Sequence, residues 1–326
     1  MSSGGAIIQS SWATTRERGS LALMQLTVFG LKVLSRPLVT PFVYAVTLYF
    51  FLFGKRAREV SLDYLRRIEH ECPHSGLAAT RRTAYRHFVA FAQAILDKLD
   101  AWAGRLDHGE VVFENLEGLR AAAASGRGVL VIGSHLGNLE VCRALARLTG
   151  RVRLNILVHT RHAAYFNRML AMSGASEVEL LQVTDFSVGT ALALKERIER
   201  GEWVVIAGDR VPVHGGRTVD VRLLGGMAPL PVGPYVLAAL LDCPVHLLFC
   251  LRRSGHNHVY FEPFAARVSL PRQARREALA REAQRFADRL EHYIRLEPLQ
   301  WFNFYPFWHE CGSRADPPVA PQDAER

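Results

Sequence analysis

Cysteine is scarce in this chain, and its placement excludes the common structural uses of the residue. The five cysteines among 326 residues show no C-x2-C spacing, and their odd number argues against a disulfide framework. The histidine pairs His159/His162 and His256/His258 have no further metal ligand at supporting spacing. We therefore expect no metal site, and a reduced, cytosol-facing compartment.

Motifs that hold nucleotide cofactors are missing as well. The chain has neither a G-x-G-x-x-G fingerprint nor a Walker loop, so no cofactor of that kind is expected. The arginine-rich stretch from Arg272 to Arg289 lacks interleaved exposed aromatic residues, which favours a solvated or membrane-facing helix side over nucleic-acid binding. The N-terminus also lacks the pattern of a secretory signal, so export of the catalytic part is not expected.

Acidic residues are outnumbered by basic ones. The chain has 40 Lys and Arg against 31 Asp and Glu, which gives a formal net charge of +9 at pH 7 with histidine neutral. A basic surface attracts anionic partners, and nucleic acid, anionic lipid head groups or an acidic carrier protein would all fit the charge.

No uninterrupted apolar run reaches the roughly 20 residues of a secure membrane span. The most hydrophobic segment, 20–54, is divided into the runs 21–34 and 38–53, and basic residues follow directly at Lys55, Arg56 and Arg58. This pattern predicts a membrane-embedded helix or a shallow helical hairpin anchored on a cytoplasmic surface. A buried core hairpin is the alternative.

Beyond residue 111, predicted strands and helices alternate, which is typical of an α/β domain with a mainly parallel sheet and helices on both faces. We divide the chain into a membrane-anchoring helical segment (1–59), a helical connector (60–110), the α/β domain (111–312) and a loose tail (313–326). The predicted strands are 111–114, 128–133, 153–158, 177–183, 203–207, 219–223, 245–251 and 258–262, and the predicted helices are 116–124, 138–148, 163–172, 188–199, 233–241 and 272–294.

A histidine and a glutamate follow one of the strands that the sequence predicts to be buried on both faces. Residues 129–132 are apolar without alternation, His135 falls in the turn after them, and Glu140 falls in the first turn of the next helix. This placement lets the Glu140 carboxylate reach one imidazole nitrogen while the other faces a substrate. His135 would then be a general base and Glu140 its orienting group. The alternative is that His135 fills a turn and Glu140 is solvated.

The strand 203–207 repeats this arrangement. It leads through Gly208 to Asp209 and Arg210, and a Gly- and Pro-rich loop follows. Charged residues at two strand ends are what a polar site at a sheet edge requires. Ser134 directly precedes His135, but the surrounding sequence is not a G-x-S-x-G elbow, so a covalent acyl-enzyme is not expected.

Together these motifs resemble the lysophospholipid acyltransferase superfamily, and within it the bacterial lipid A late acyltransferases. The likeness runs from Trp12 to the segment Gln300–Trp308, so it covers nearly the whole chain. The resemblance implies an acyltransferase domain in which His135 and Glu140 are the catalytic base and its partner. It also implies that Asp209 and Arg210 hold a head group.

Further roles come with this resemblance. Arg161 and Arg168 are candidates for a carrier phosphate, and the alternative is that they are solvated helix residues. Arg210 is a candidate for phosphate or oxyanion contact, and the alternative is a salt bridge to Asp209 that orders the loop. Asn138 is a further candidate substrate-binding residue. The implied donor is acyl carrier protein or acyl coenzyme A, the acceptor is a lipid or lipid-like hydroxyl or amine, and the implied location is the cytoplasmic face of a bacterial inner membrane. The acceptor could be a lipid A precursor, an amino-acid-containing lipid or the acyl precursor of a polyene pigment. No metal or organic cofactor is implied, because a thioester is already activated.

Two other functions remain open from the sequence. A thioesterase would use His135 to activate water, and a non-catalytic lipid-binding protein would use the same groove without turnover.

Overall fold

The structure of the chain is a computed structural model that describes residues 36–102, 111–138, 152–158, 178–182, 188–210 and 216–309. The helices are α1 (Arg36–Phe53), α2 (Lys55–Glu71), α3 (Arg81–Trp102), α4 (Leu116–Ala124), α5 (Val188–Glu199), α6 (Gly233–Leu241) and α7 (Arg275–Leu296). The strands are β1 (Val111–Phe113), β2 (Val129–Gly133), β3 (Leu154–Val158), β4 (Val178–Gln182), β5 (Trp203–Ala207), β6 (Thr218–Leu223), β7 (Gly226–Pro231), β8 (Val245–Arg253) and β9 (His256–Ala265).

A seven-stranded sheet in the order β1-β9-β8-β2-β5-β3-β4 forms the centre of the described fold. All of its neighbouring pairs are parallel except β8 and β9, which are antiparallel. The predicted α/β class with a mainly parallel sheet is therefore confirmed. The chain moves outward from β2 to β3 and β4 and then returns to place β5 beside β2, so the carboxyl ends of β2 and β5 lie together at the middle of the sheet.

Strand β2 shows why the sheet is covered on both faces. Leu130 and Ile132 belong to one buried cluster, with residues of α6 and α7, whereas Val129 and Val131 belong to a second cluster that includes Leu119 of α4. Because successive strand side chains point to opposite faces, an apolar run without alternation requires apolar cover on each side.

Where the structure describes the chain, the predicted strands and helices agree with it within a few residues, with one omission. The helices 116–124, 188–199 and 233–241 have the predicted bounds, whereas α7 begins at Arg275 after a short 3-10 turn, Arg272–Ala274. The predicted helices 138–148 and 163–172 lie outside the described residues, apart from Asn138. Strand β7 was not predicted, and it pairs antiparallel with β6 in a separate two-stranded sheet.

The N-terminal helices form a layer beside the core. Phe51 of α1 makes edge-to-face contacts with Tyr85 and Phe88 of α3, at centroid distances of 5.4 and 5.3 Å. The same helix leaves large apolar side chains exposed, namely Leu38, Phe42, Tyr44, Leu48, Tyr49, Phe50, Leu52 and Phe53. The run 38–53 is thus helical as predicted, while the run 21–34 lies outside the described residues.

Among the helices that the structure describes, none is by itself long and apolar enough to cross a membrane. Residues Leu38–Phe53 and Lys55–Glu71 would suffice together by length and composition, but they meet at an angle of 90°.

His87 joins this helical layer to the C-terminal part of the chain. The side chain is fully buried, and its two ring nitrogens lie 2.9 Å from the hydroxyl of Ser61 and 3.0 Å from the backbone carbonyl of Trp301. The carbonyl accepts only, so Nε2 carries the proton and Nδ1 accepts from Ser61. Burial lowers the pKa of His87 from 6.5 to about 4, although the hydrogen bond to Trp301 raises it.

This lowered pKa predicts a loss of stability in mild acid. Well above pH 6.5, His87 is neutral in the folded and in the unfolded protein. Between pH 6.5 and 4 its imidazole becomes protonated in the unfolded chain but stays neutral in the folded protein. At pH 4 this difference in the protonation of His87 lowers the free energy of unfolding by about 3 kcal/mol. We expect the free energy of unfolding in urea to fall less between pH 7 and 4 in His87→Gln than in the wild type. An identical fall in both proteins would contradict the assignment.

Candidate active site

The site lies where β2 and β5 end side by side. The register pairs Gly133 with Ala207, and the N–H of Gly208 donates to the carbonyl of Gly133 over 2.8 Å. A Cβ atom at position 208 would lie 2.7 Å from Cγ2 of Ile132 and 2.9 Å from Cζ of Phe286, so any other residue there would displace these two core side chains. The loops after both strands consequently leave the sheet in contact.

Asp209 binds His135 through both of its carboxylate oxygens. Oδ1 lies 2.8 Å from the imidazole Nδ1, and Oδ2 accepts the backbone N–H of His135 at 2.8 Å. The ring orientation and the loop position are therefore set by one carboxylate. The same Oδ2 also accepts the indole N–H of Trp301 at 3.2 Å.

Asp209 is ionised in this position. Its side chain is 2% exposed, and burial alone would raise the carboxyl pKa. The charge and hydrogen bonds of His135, together with the charge of Arg210, outweigh burial and hold the pKa of Asp209 below its usual value. Because a carboxylate accepts only, the neutral His135 carries its proton on Nδ1 and has its lone pair on Nε2.

Asp209 occupies only the Nδ1 side of the imidazole. The His135 side chain is 32% exposed, in contrast to its buried partner. None of the described residues forms a hydrogen bond with Nε2. The pair thus has the arrangement of a general base: one nitrogen is held by a buried anion, and the other has no hydrogen-bond partner in the described part of the chain.

The loop after β2 is held by the segment Gln300–Phe304. The N–H of Gly137 donates to the carbonyl of Gln300 at 2.8 Å, and the N–H of Phe302 donates to the carbonyl of His135 at 3.2 Å. Gly137 has a φ of 70°, and a Cβ atom there would collide with the backbone of Cys250. Replacement of Gly137 would therefore displace the loop that carries His135.

The remaining described candidates surround this pair. Arg210 is half-buried, donates from Nη2 to the carbonyl of Phe302 at 3.3 Å, and lies 6.0 Å from the ring centroid of Tyr305. Asn138 is buried, and its backbone N–H donates to the carbonyl of Cys250 at 3.1 Å. Ser134 is fully buried and accepts the N–H of Leu136 at 3.3 Å.

The structure brings together only part of the predicted set. Glu140, Arg161 and Arg168 lie outside the described residues, so their predicted roles stay predictions. The contact between Asp209 and His135 was not predicted, because the sequence suggested Glu140 as the partner of His135. Trp301 was not predicted as a site residue either, although it stands in the C-terminal aromatic segment that contributes to the resemblance.

A known protein family matches most of the chain. The model of a family described as bacterial lipid A biosynthesis acyltransferase matches residues 20–310. A search of curated proteins found no match. The matched range includes both strand ends of the candidate site and the segment that holds them.

Proposed function

The chain belongs to the bacterial lipid A biosynthesis acyltransferase family, and from this membership we propose that it moves a fatty-acyl chain from an acyl thioester to a hydroxyl or amine of a lipid-like acceptor. The observation that carries the proposal is the His135–Asp209 pair, in which a buried carboxylate holds Nδ1 while none of the described residues bonds Nε2. Family membership by itself supports acyltransferase activity of the lipid A type. The chemistry of the site supports His135 as the base of that reaction.

In the proposed reaction, Nε2 of His135 takes the proton of the acceptor while the acceptor oxygen or nitrogen attacks the thioester carbonyl carbon. A tetrahedral oxyanion forms, and the imidazolium is stabilised by the charge of Asp209. Collapse of this intermediate breaks the carbon–sulfur bond, and the proton from His135 passes to the departing thiolate. The products are an acylated acceptor and a free carrier thiol, so no atom or electron is left unbalanced.

Arg210 is the proposed contact for a phosphate of the substrates or for the oxyanion. Its guanidinium is adjacent to the pair, permanently charged and able to form paired hydrogen bonds. Arg161, Arg168 and Asn138 are proposed as further substrate contacts on the strength of the sequence. Glu140 is proposed as a second carboxylate of the site. Because Asp209 holds Nδ1, any direct bond from Glu140 to the ring would have to use Nε2.

Members of this family are typically membrane-associated, and we place this chain at the cytoplasmic face of a bacterial inner membrane. The exposed apolar and aromatic side chains of α1 support contact with a lipid surface, and Lys55, Arg56 and Arg58 follow them directly. The formal net charge of +9 suits an acidic acyl carrier protein as the donor. Coenzyme A is also anionic, so charge alone does not separate the two donors.

A donor and acceptor survey tests the proposed function. Purified full-length protein would be incubated in bacterial lipid vesicles with a labelled acyl chain attached either to acyl carrier protein or to coenzyme A. We expect label to enter a lipid in amounts equal to the thiol released, and the labelled lipid identifies the acceptor class. Thiol release with free fatty acid as the product would indicate a thioesterase instead. The absence of turnover with either donor would favour a non-catalytic lipid-binding protein.

A further inference from the structure

Trp301 connects the active-site carboxylate to a second buried group. Its side chain is 1% exposed, and its indole N–H donates to Oδ2 of Asp209. Its backbone carbonyl accepts from His87, and the residue forms an isolated bridge with Leu136, next to His135. A single residue therefore touches the carboxylate, the His135 loop and the helical layer.

The Trp301 indole determines which oxygen of the Asp209 carboxylate faces the His135 imidazole. Oδ2 receives two N–H donors, from the His135 backbone and from Trp301, which leaves Oδ1 to the imidazole. Rotation of the carboxylate would break both bonds to Oδ2 at once. The indole N–H thus limits how far Oδ1 can move from Nδ1, in an environment where a charged hydrogen bond is strong.

The indole is itself held on several sides. Its ring packs edge-on against Tyr64, Phe307 and Trp308, at centroid distances of 5.5, 4.9 and 5.9 Å. On the backbone side, the Nε2–H of His87 holds the carbonyl of Trp301, and Ser61 holds the other ring nitrogen of His87. The chain of contacts runs from α2 and α3 to the catalytic pair without a gap.

We propose that Trp301 is a positioning residue for acyl transfer, whose indole N–H fixes the Asp209 carboxylate against His135. In the same way, the buried His87 fixes the backbone of the segment Gln300–Phe304 to the N-terminal helices. This inference rests on the proposed function for its kinetic consequence, whereas its structural consequence for the His135–Asp209 hydrogen bond does not require turnover.

The kinetic test is Trp301→Phe in the full-length protein. The substitution keeps an aromatic ring in the cluster and removes the N–H donor. We expect kcat to fall about 10- to 100-fold, the range for a hydrogen bond to a charged group, with little change in KM. The matched control is Trp203→Phe, which makes the same change at a buried tryptophan of the other core cluster whose indole N–H has no hydrogen-bond partner among the described residues, and which should keep the wild-type kcat.

A spectroscopic readout separates this inference from the function. The proton on His135 Nδ1 bonds a carboxylate, so we expect a downfield proton resonance that disappears in His135→Ala. Trp301→Phe should move or broaden this resonance, and Trp203→Phe should not. A wild type without acyl transfer would refute the proposed function, yet the resonance would still test the role of Trp301.

Wild-type kcat together with an unchanged resonance in Trp301→Phe would overturn the inference. If that variant does not fold, β-(3-benzothienyl)alanine at position 301 replaces the N–H by sulfur at nearly the same shape. The same two readouts then decide the question.

Discussion

Replacing Asp209 by asparagine should lower kcat about 10³- to 10⁴-fold while the protein stays folded, which is the size of effect expected when a catalytic histidine is held in the wrong tautomer. Oδ2 of Asp209 accepts two N–H groups, so an asparagine would place its carbonyl oxygen there. Its amide group would then face Nδ1 of His135 as a donor. The imidazole would have to accept at Nδ1 and carry its proton on Nε2, where the base is needed.

The control for this variant is Asp220→Asn. Asp220 forms a comparable pair with Nε2 of His309 at 2.7 Å, but the pair is exposed and shares no hydrogen bond with the candidate site. We expect its kcat to remain at the wild-type value. If Asp209→Asn also kept the wild-type kcat while Glu140→Gln lost activity, Glu140 would be the orienting carboxylate.

Replacing His135 by alanine removes the proposed base and should lower kcat about 10²- to 10⁴-fold, the usual contribution of a positioned general base. The residual rate would come from substrate binding and from the groups that stabilise the oxyanion. The measurement is label transfer to lipid under saturating donor, together with the thermal unfolding temperature of each variant. His309→Ala removes the histidine of the exposed pair and serves as the matched control.

A loss of activity in His135→Ala without a loss of fold would support the role of this residue. Wild-type activity in His135→Ala would show that another group takes the acceptor proton. Equal losses in His135→Ala and His309→Ala would point to a general effect on the protein and not to catalysis.

Much of the fold was predictable because its central strands coincide with uninterrupted apolar runs in the sequence. The runs 129–133 and 203–207 are apolar without interruption, which indicates strands covered on both faces, and both strands are present at those positions. Strand β7 was missed because its sequence contains Pro229 and Pro231, which argue against a strand. In a two-stranded sheet both strands are edges, and an edge strand tolerates proline.

The position of the site was predictable, but its internal contacts were not. Parallel strands bring their carboxyl ends to one edge, so His135 and Asp209 were both expected there. Their direct hydrogen bond joins residues 74 positions apart. It requires β5 to lie next to β2, and this follows from the order of the strands in the sheet and not from the local sequence. The sequence offered a nearer carboxylate, Glu140, as the partner. Trp301 lies farther still, and nothing in its local sequence indicates that its indole reaches Asp209.

The most direct test of the account is a single-turnover experiment with a labelled acyl thioester and the lipid acceptor, in wild type and His135→Ala. Label would be followed at once in the thioester, in lipid, in free fatty acid and on the protein. The account predicts that label leaves the thioester and enters lipid with one rate constant, that no labelled protein accumulates, and that the rate falls in His135→Ala. Label that accumulates on the protein or in free fatty acid, or an unchanged rate in His135→Ala, would contradict it.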